Sequence, residues 1–247
     1  MQQMLEGIIY DGSKALGITL TKEEVELYFR YLEILLEWNE KFNLTAIVKP
    51  EEVLKKHFLD SIAPLPLIIE RKPSSVIDVG TGAGFPGVPL KIAFRENEFL
   101  KTTSIVLLDS LKKRVQFLEH LITELGLENI NAIHGRAEDF GQQQGYRESY
   151  DIAVSRAVSG LAVLSEYCLP FVKVNGIFIA YKGPNVGDEI KEGEKAVSIL
   201  GGRISEVKEV KLPGLDQGRC IVIVEKVGST PEKYPRKAGM PEKRPLS

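Results

Sequence analysis

Ser75-Val76-Ile77-Asp78-Val79-Gly80-Thr81-Gly82-Ala83-Gly84-Phe85-Pro86-Gly87 is the stretch that decides the fold. Its apolar start reads as a buried strand, and Val88 to Phe94 as the first turns of a helix whose free N–H groups face the intervening loop. Glycines at 80, 82, 84 and 87 leave that loop almost bare of side chains, so a ligand can lie directly on backbone. The same letters spell two ligand patterns. Gly82-x-Gly84-x-x-Gly87 is the fingerprint of dinucleotide binders, and Asp78-x-Gly80-x-Gly82-x-Gly84 that of S-adenosylmethionine (AdoMet) binders. Both want an acid at the end of the next strand for the ribose, and Asp109 follows such a strand, Ser104 to Leu108. Asp78 separates the two. A carboxylate just before the glycines repels a pyrophosphate, whereas it favours the ammonium and sulfonium of AdoMet.

The chain's 247 residues, 43% of them hydrophobic and with charges of both signs interspersed, fit a soluble enzyme with one main domain and a full core. No apolar run approaches the roughly 18 residues that span a membrane. The start, Met1-Gln2-Gln3-Met4-Leu5-Glu6, lacks the form of a secretory signal, so a cytoplasmic location is expected. Cys168 and Cys220 stand isolated among apolar neighbours and read as small buried residues, and three scattered histidines have no zinc spacing. The net charge of −2 argues against a uniformly basic nucleic-acid binder, yet residues 228–247 alone carry +3. With prolines at 231, 235, 241 and 245, this tail is expected to form no regular helix and to run extended over the surface or stay mobile, as a solvated or RNA-contacting strip.

Residues 1–70 read as a helical cap. Its helices are expected over Met4 to Leu16, over Thr21 to Phe42 behind a Thr21/Glu24 capping box, and from Pro50 to an exit at Pro64 and Pro66. Over residues 71–227 strands and helices alternate. The strands Val76–Val79, Ile105–Leu108, Ile130–Ile133, Asp151–Val154 and Ile177–Tyr181 imply a mostly parallel sheet covered on both faces. Ile204–Leu212 and Cys220–Val227, joined by Pro213 to Gly218, read as an antiparallel hairpin at a sheet edge. This α/β arrangement resembles the class I AdoMet-dependent methyltransferase fold, Rossmann-like with a C-terminal hairpin and an N-terminal helical cap.

Longer strings narrow the resemblance. Asp78 to Gly87, Leu108-Asp109-Ser110-Leu111-Lys112-Lys113-Arg114, Gly135-Arg136-Ala137-Glu138, Ser155-Arg156-Ala157 and Tyr234-Pro235-Arg236-Lys237-Ala238-Gly239-Met240-Pro241 are similar to the glucose-inhibited division protein B family. Asn43-Leu44-Thr45 and His57-x-x-Asp60-Ser61 in the cap match as well. Membership implies an AdoMet-dependent enzyme that methylates N7 of a guanine in 16S ribosomal RNA and leaves S-adenosylhomocysteine. It implies 16S RNA or the small ribosomal subunit as partner; a monomer without metal is expected.

The resemblance implies cofactor contacts at Gly80, Phe85, Ala137, Glu138 and Arg156. The residues themselves place Asp78 with Gly82 at the amino-acid end and Asp109 at the ribose. Phe85 serves equally as packing, Asp109 as a helix cap and Glu138 as a helix-start acid. Arg156 follows the fourth strand and is a substrate-positioning candidate, or a structural ion pair. Its setting, Ser155-Arg156-Ala157-Val158, lacks the Asn or Asp, two prolines and aromatic residue usual where exocyclic amines are methylated. Neither cysteine lies where a pyrimidine-C5 methyltransferase needs its nucleophile. An acceptor that needs no activation remains, and guanine N7 is one, so placement without a general base suffices. Asn43, His57, Arg236, Lys237 and Lys243 are candidate RNA contacts; Asn43 also reads as a left-handed helix cap, and His57 with Asp60 as a local pair. Tyr28, Trp38 and Phe42 read as core. Competing functions are a NAD-binding oxidoreductase, an AdoMet-fold RNA-binding assembly factor without turnover, and a small-molecule methyltransferase.

Overall fold

The computed structural model describes residues 2–156 and 159–246. Ala157 and Val158 of the motif after the fourth strand lie outside the described residues. Helix α1 (Gln2–Ala15) and α2 (Lys22–Phe42) open the cap. The capping box forms at α2, with Thr21 Oγ1 accepting from Glu24 N and Glu24 accepting from Thr21 N. Asn43 ends α2 in the left-handed region, at φ 48°. The helix expected from Pro50 is broken into α3 (Pro50–Val53), a wider π-helical turn over Leu54–Leu59, and α4 (Asp60–Ile62). A further helix, α5 (Leu65–Arg71), follows at Pro64 and Pro66, the expected exit; proline fits a first helical turn, where its missing N–H costs nothing.

The sheet order is β3-β2-β1-β4-β5-β7-β6. Strands β1 (Ser75–Val79), β2 (Ser104–Asp109), β3 (Ile130–His134), β4 (Tyr150–Ser155) and β5 (Val172–Lys182) run parallel, while β6 (Gly202–Val210) and β7 (Arg219–Lys226) form the antiparallel edge. The crossovers carry α6 (Gly87–Phe94), α7 (Lys112–Glu124), α8 (Ala137–Phe140) and α9 (Leu161–Cys168), and α10 (Gly187–Ile199) links β5 to β6. Because strand side chains alternate, Val76, Ile105 and Leu107 join the core beneath the cap, while Ile77, Val79 and Leu108 join the opposite core with α9. The sheet order reverses between β1 and β4, and the crevice at their carboxyl ends is where doubly wound folds bind ligands.

The tail is neither extended nor loose. Buried Lys226 donates to Thr230 Oγ1 and to the Leu169 carbonyl, both at 2.7 Å. Arg147 donates to the carbonyls of Thr230 and Tyr234, also at 2.7 Å, and Gln142 to those of Glu232 and Pro235 at 3.0 Å. A short helix, α11 (Met240–Lys243), closes the tail. The prolines rule out a helix only where they fall inside one, and Pro241 sits in the first turn.

A candidate cofactor cleft and its junction with the cap

The glycine loop is shaped from below. Gly84 takes φ +96°, and a Cβ there would also meet the Tyr31 hydroxyl at 2.8 Å. At Gly87 a Cβ would lie 2.4 Å from Leu107, so only glycine lets α6 approach β1 and β2 so closely. Strand alternation sends the Asp78 side chain toward α6, away from the crevice. Its carboxylate is fully buried; Oδ2 accepts from Thr81 Oγ1 at 2.7 Å and from Gly87 N at 2.8 Å, and Oδ1 has no partner. Burial raises its pKa to about 7, against the lowering effect of Thr81 and Gly87.

This arrangement changes the expectation of free helix N–H groups. Gly87 N–H is spent on Asp78 and Val88 N–H on the Gly84 carbonyl, and Pro89 has none. A pyrophosphate would find no donor at this helix start and a carboxyl group in its place, which removes the dinucleotide reading.

A cleft of about 230 Å³ opens at the carboxyl ends of β1 to β4. Val79, Leu108 and Leu164 are its apolar walls; Gly80, residues 135–138, Ser110, Ser155 and Tyr167 add polar groups. Cβ atoms built on Gly80 and Gly82 would meet nothing within 4 Å, so the loop presents open backbone. Of the expected cofactor contacts, Gly80, Ala137 and Glu138 line the cleft. Asp109 stands beside it, only 3% exposed. Its carboxylate ties the loop to the start of α7, accepting from Gly82 N and Leu111 N at 2.9 Å and from Arg114 at 3.3 Å. The apolar slot between open backbone and the Glu138 carboxylate, an acceptor-only group, fits an adenosine-bearing, cationic cofactor.

Phe85 and Arg156 sit instead at the junction with the cap. Phe85 is buried, stacked on His57 with ring centres 4.5 Å apart and on Tyr31 at 5.4 Å, with the Arg156 guanidinium 4.8 Å from its ring. Arg156 reaches the π-helical turn. Nη1 donates to the Lys56 carbonyl and to Asp60 Oδ2, both at 3.1 Å, and Nη2 to His57 Nδ1 at 3.0 Å. His57 and Asp60 are therefore bridged by Arg156 and do not form the local pair read from their spacing. Arginine cannot accept, so His57 Nδ1 must, which leaves the proton on Nε2, 2.9 Å from Thr45 Oγ1. Burial and the neighbouring Arg156 charge depress His57 to about 3. Arg219, a residue that sequence spacing does not single out, adds a second cation 3.5 Å from Asp60.

The remaining candidates separate by environment. Arg236 is committed to Glu166: its Nε and Nη2 reach the carboxylate at 2.9 and 2.6 Å, and its backbone N at 2.8 Å. Asn43, Lys237 and Lys243 are exposed. Tyr28 is core, donating to the Pro89 carbonyl at 2.7 Å, and Trp38 packs on Phe42 and Phe117. Both cysteines are free and buried. Among the described residues no cluster suits a metal, and no helix is long and apolar enough to cross a membrane.

The reversal at β1/β4, the antiparallel edge and the open glycine loop over an acceptor-walled cleft define a class I AdoMet-dependent methyltransferase. In overall fold the chain is similar to an O-methyltransferase from Bacillus cereus in complex with SAH, with TM-score 0.58, 15% identity, and 90% and 100% of the two chains covered. TrmN from Thermus thermophilus is similar at TM-score 0.50 and 15% identity, over 70% of this chain and 53% of that one. The model of a family described as rRNA small subunit methyltransferase G matches residues 24–217, and the chain belongs to that family. It is 51% identical to Ribosomal RNA small subunit methyltransferase G of Alkaliphilus metalliredigens over 239 residues, 97% of this chain and 98% of that one. Identity to the protein of that name from Clostridium tetani is 47% over 239 residues, again 97% and 98% of the two chains. The family resemblance read from the motifs is borne out.

Proposed function

We propose that this protein methylates N7 of a guanine in 16S ribosomal RNA, with AdoMet bound in the strand-end cleft and the small subunit or its RNA as substrate. AdoMet supplies a methyl group made electrophilic by its sulfonium. Gly80, Ala137 and Glu138 contact the cofactor; Asp78, Gly82 and Asp109 hold the loop in shape, and Asp109 is placed beside the ribose. Arg156 and Phe85 fix the cap against the loop and so set the side from which the base enters. Asn43, Lys237 and Lys243 are the RNA contacts. The protein acts as a monomer in the cytoplasm, where small subunits are assembled.

One observation carries the choice of acceptor: the histidine at the cap junction and both cysteines are closed off as base or nucleophile. The His57 nitrogens are taken by Arg156 and Thr45, and its pKa lies far below neutrality. Cys168 is fully buried with its thiol pushed up, and Cys220 sits in the hairpin. Guanine N7 carries an in-plane lone pair and loses no proton, so the residues need only position it. Incubating the protein with radiolabelled AdoMet and small subunits that lack the modification, then mapping the labelled base, tests this. Label at a guanine N7 is expected. RNA binding without transfer would favour an assembly factor, and label at another atom would refute the N7 assignment.

A further inference from the structure

The C-terminal strap reaches the cleft itself. Gly239 and Glu242 lie in its wall, together with Leu164 and Tyr167 of α9. Gly239 N–H donates to Glu138 Oε1 at 2.9 Å, so the strap is tied to a cleft-lining residue at the start of α8. The Arg236 fork grips Glu166, whose side chain is 1% exposed and sits on the same helix as Leu164 and Tyr167. Glu242 is exposed, and its carboxylate is hydrogen-bonded to the Tyr167 hydroxyl of α9. Burial, helped by the charges of Glu138, Glu242 and Glu166, pushes the Tyr167 phenol up.

We propose that residues 236–242 form the outer wall of the cofactor cleft, that Glu242 contacts the cofactor, and that Arg236, through Glu166, is the positioning residue that holds this wall closed. The inference rests on the cleft being the AdoMet site. Glu138 and Glu242 are carboxylate acceptors among the residues that line the cleft. They suit the donor edge of an adenosine, its amino group and ribose hydroxyls, and repel a ligand that presents phosphates. With its guanidinium spent on Glu166, Arg236 is not the phosphate contact that its place in a basic tail suggests.

Calorimetric titration with S-adenosylhomocysteine, beside thermal melts, tests the proposal on the full chain. Arg236→Ala should weaken binding roughly tenfold or more and speed dissociation, with Arg236→Lys recovering part of the loss, since one ammonium replaces a fork. Glu242→Ala should weaken binding several-fold in a protein that still melts cooperatively, and more than Tyr167→Phe, which loses only the hydroxyl bonded to Glu242. Lys195→Ala, exposed on α10 and not part of the cleft lining, should bind the cofactor as the unaltered protein does. In steady state the KM for AdoMet should rise while the KM for RNA holds. Unchanged cofactor affinity in folded Arg236→Ala and Glu242→Ala overturns the proposal, as does a rise confined to the KM for RNA. If Arg236→Ala fails to fold, Glu242→Ala decides alone. Should the unaltered protein bind no S-adenosylhomocysteine, the cofactor reading of the cleft fails instead.

Discussion

Asp78 carries opposite demands at one residue. Its Oδ2 anchors the glycine loop, while its buried, unpartnered Oδ1 makes the charged form costly. With a pKa raised from 3.8 to about 7, the fold binds a proton that the unfolded chain releases. Its contribution is full below pH 4 and lost as pH rises toward 7, a difference of at most about 4 kcal/mol. Asp78→Asn removes this dependence, so its melting temperature should gain on that of the unaltered protein between pH 5 and pH 8. Parallel melting curves across that range would mean that Asp78 is ionised throughout. Asp109 is the second residue-scale test. Asp109→Ala frees Gly82 N and Leu111 N as well as any ribose contact, and should weaken AdoMet binding by about 1.5–3 kcal/mol in calorimetry. Equal affinity would leave it as a loop and helix tie only.

At the scale of elements, Arg156 ties the cap to the sheet beside the bonds of Tyr28 to Pro89 and of Tyr181 to Ser61. The π-helical turn widens the helix where Arg156 enters, and the fork spans two partners, His57 Nδ1 and Asp60 Oδ2, that no lysine can hold together. Arg156→Met leaves buried Asp60 with Arg219 alone and should cost about 3 kcal/mol in denaturant unfolding, since breaking a buried pair strands a charge. A loss below 1 kcal/mol would make the junction incidental. The same geometry fixes a pH profile. With its two nitrogens engaged and its pKa near 3, His57 stays neutral. Single-turnover methyl transfer should therefore show no histidine-like titration between about pH 6 and 8.5. A unit slope removed by His57→Ala would put that imidazole in the chemistry.

For the whole molecule, the charge asymmetry takes on a more specific meaning. Of the tail's five cations, Arg236 is half-buried and paired with Glu166, while Lys237, Lys243 and Arg244 are exposed beside a cleft partly walled by the same strap. Replacing Lys237 and Lys243 with alanine should weaken RNA binding and flatten its salt dependence by about 0.7 log units per lost single-strand contact, leaving cofactor affinity alone. Filter binding across a salt series checks it; an unchanged slope would place the RNA on another face.

The sequence by itself determined the strand-loop-helix unit at Asp78 to Gly87, the alternation of strands and helices, the edge hairpin and the capping box. These depend on short-range periodicity and on residue types with strong local preferences. The family could be read because its strings run from the cap to the tail. Only the tertiary structure decided which way side chains face and what meets across the chain. Strand alternation turned Asp78 under the loop, and the cap brought His57 and Asp60 to Arg156 from 99 and 96 positions away. Docking of the tail turned Arg236 inward and put Gly239 and Glu242 in the cleft wall. No local pattern contains such pairings, because the low-dielectric interior that makes a buried ion pair binding exists only once distant segments have excluded water between them.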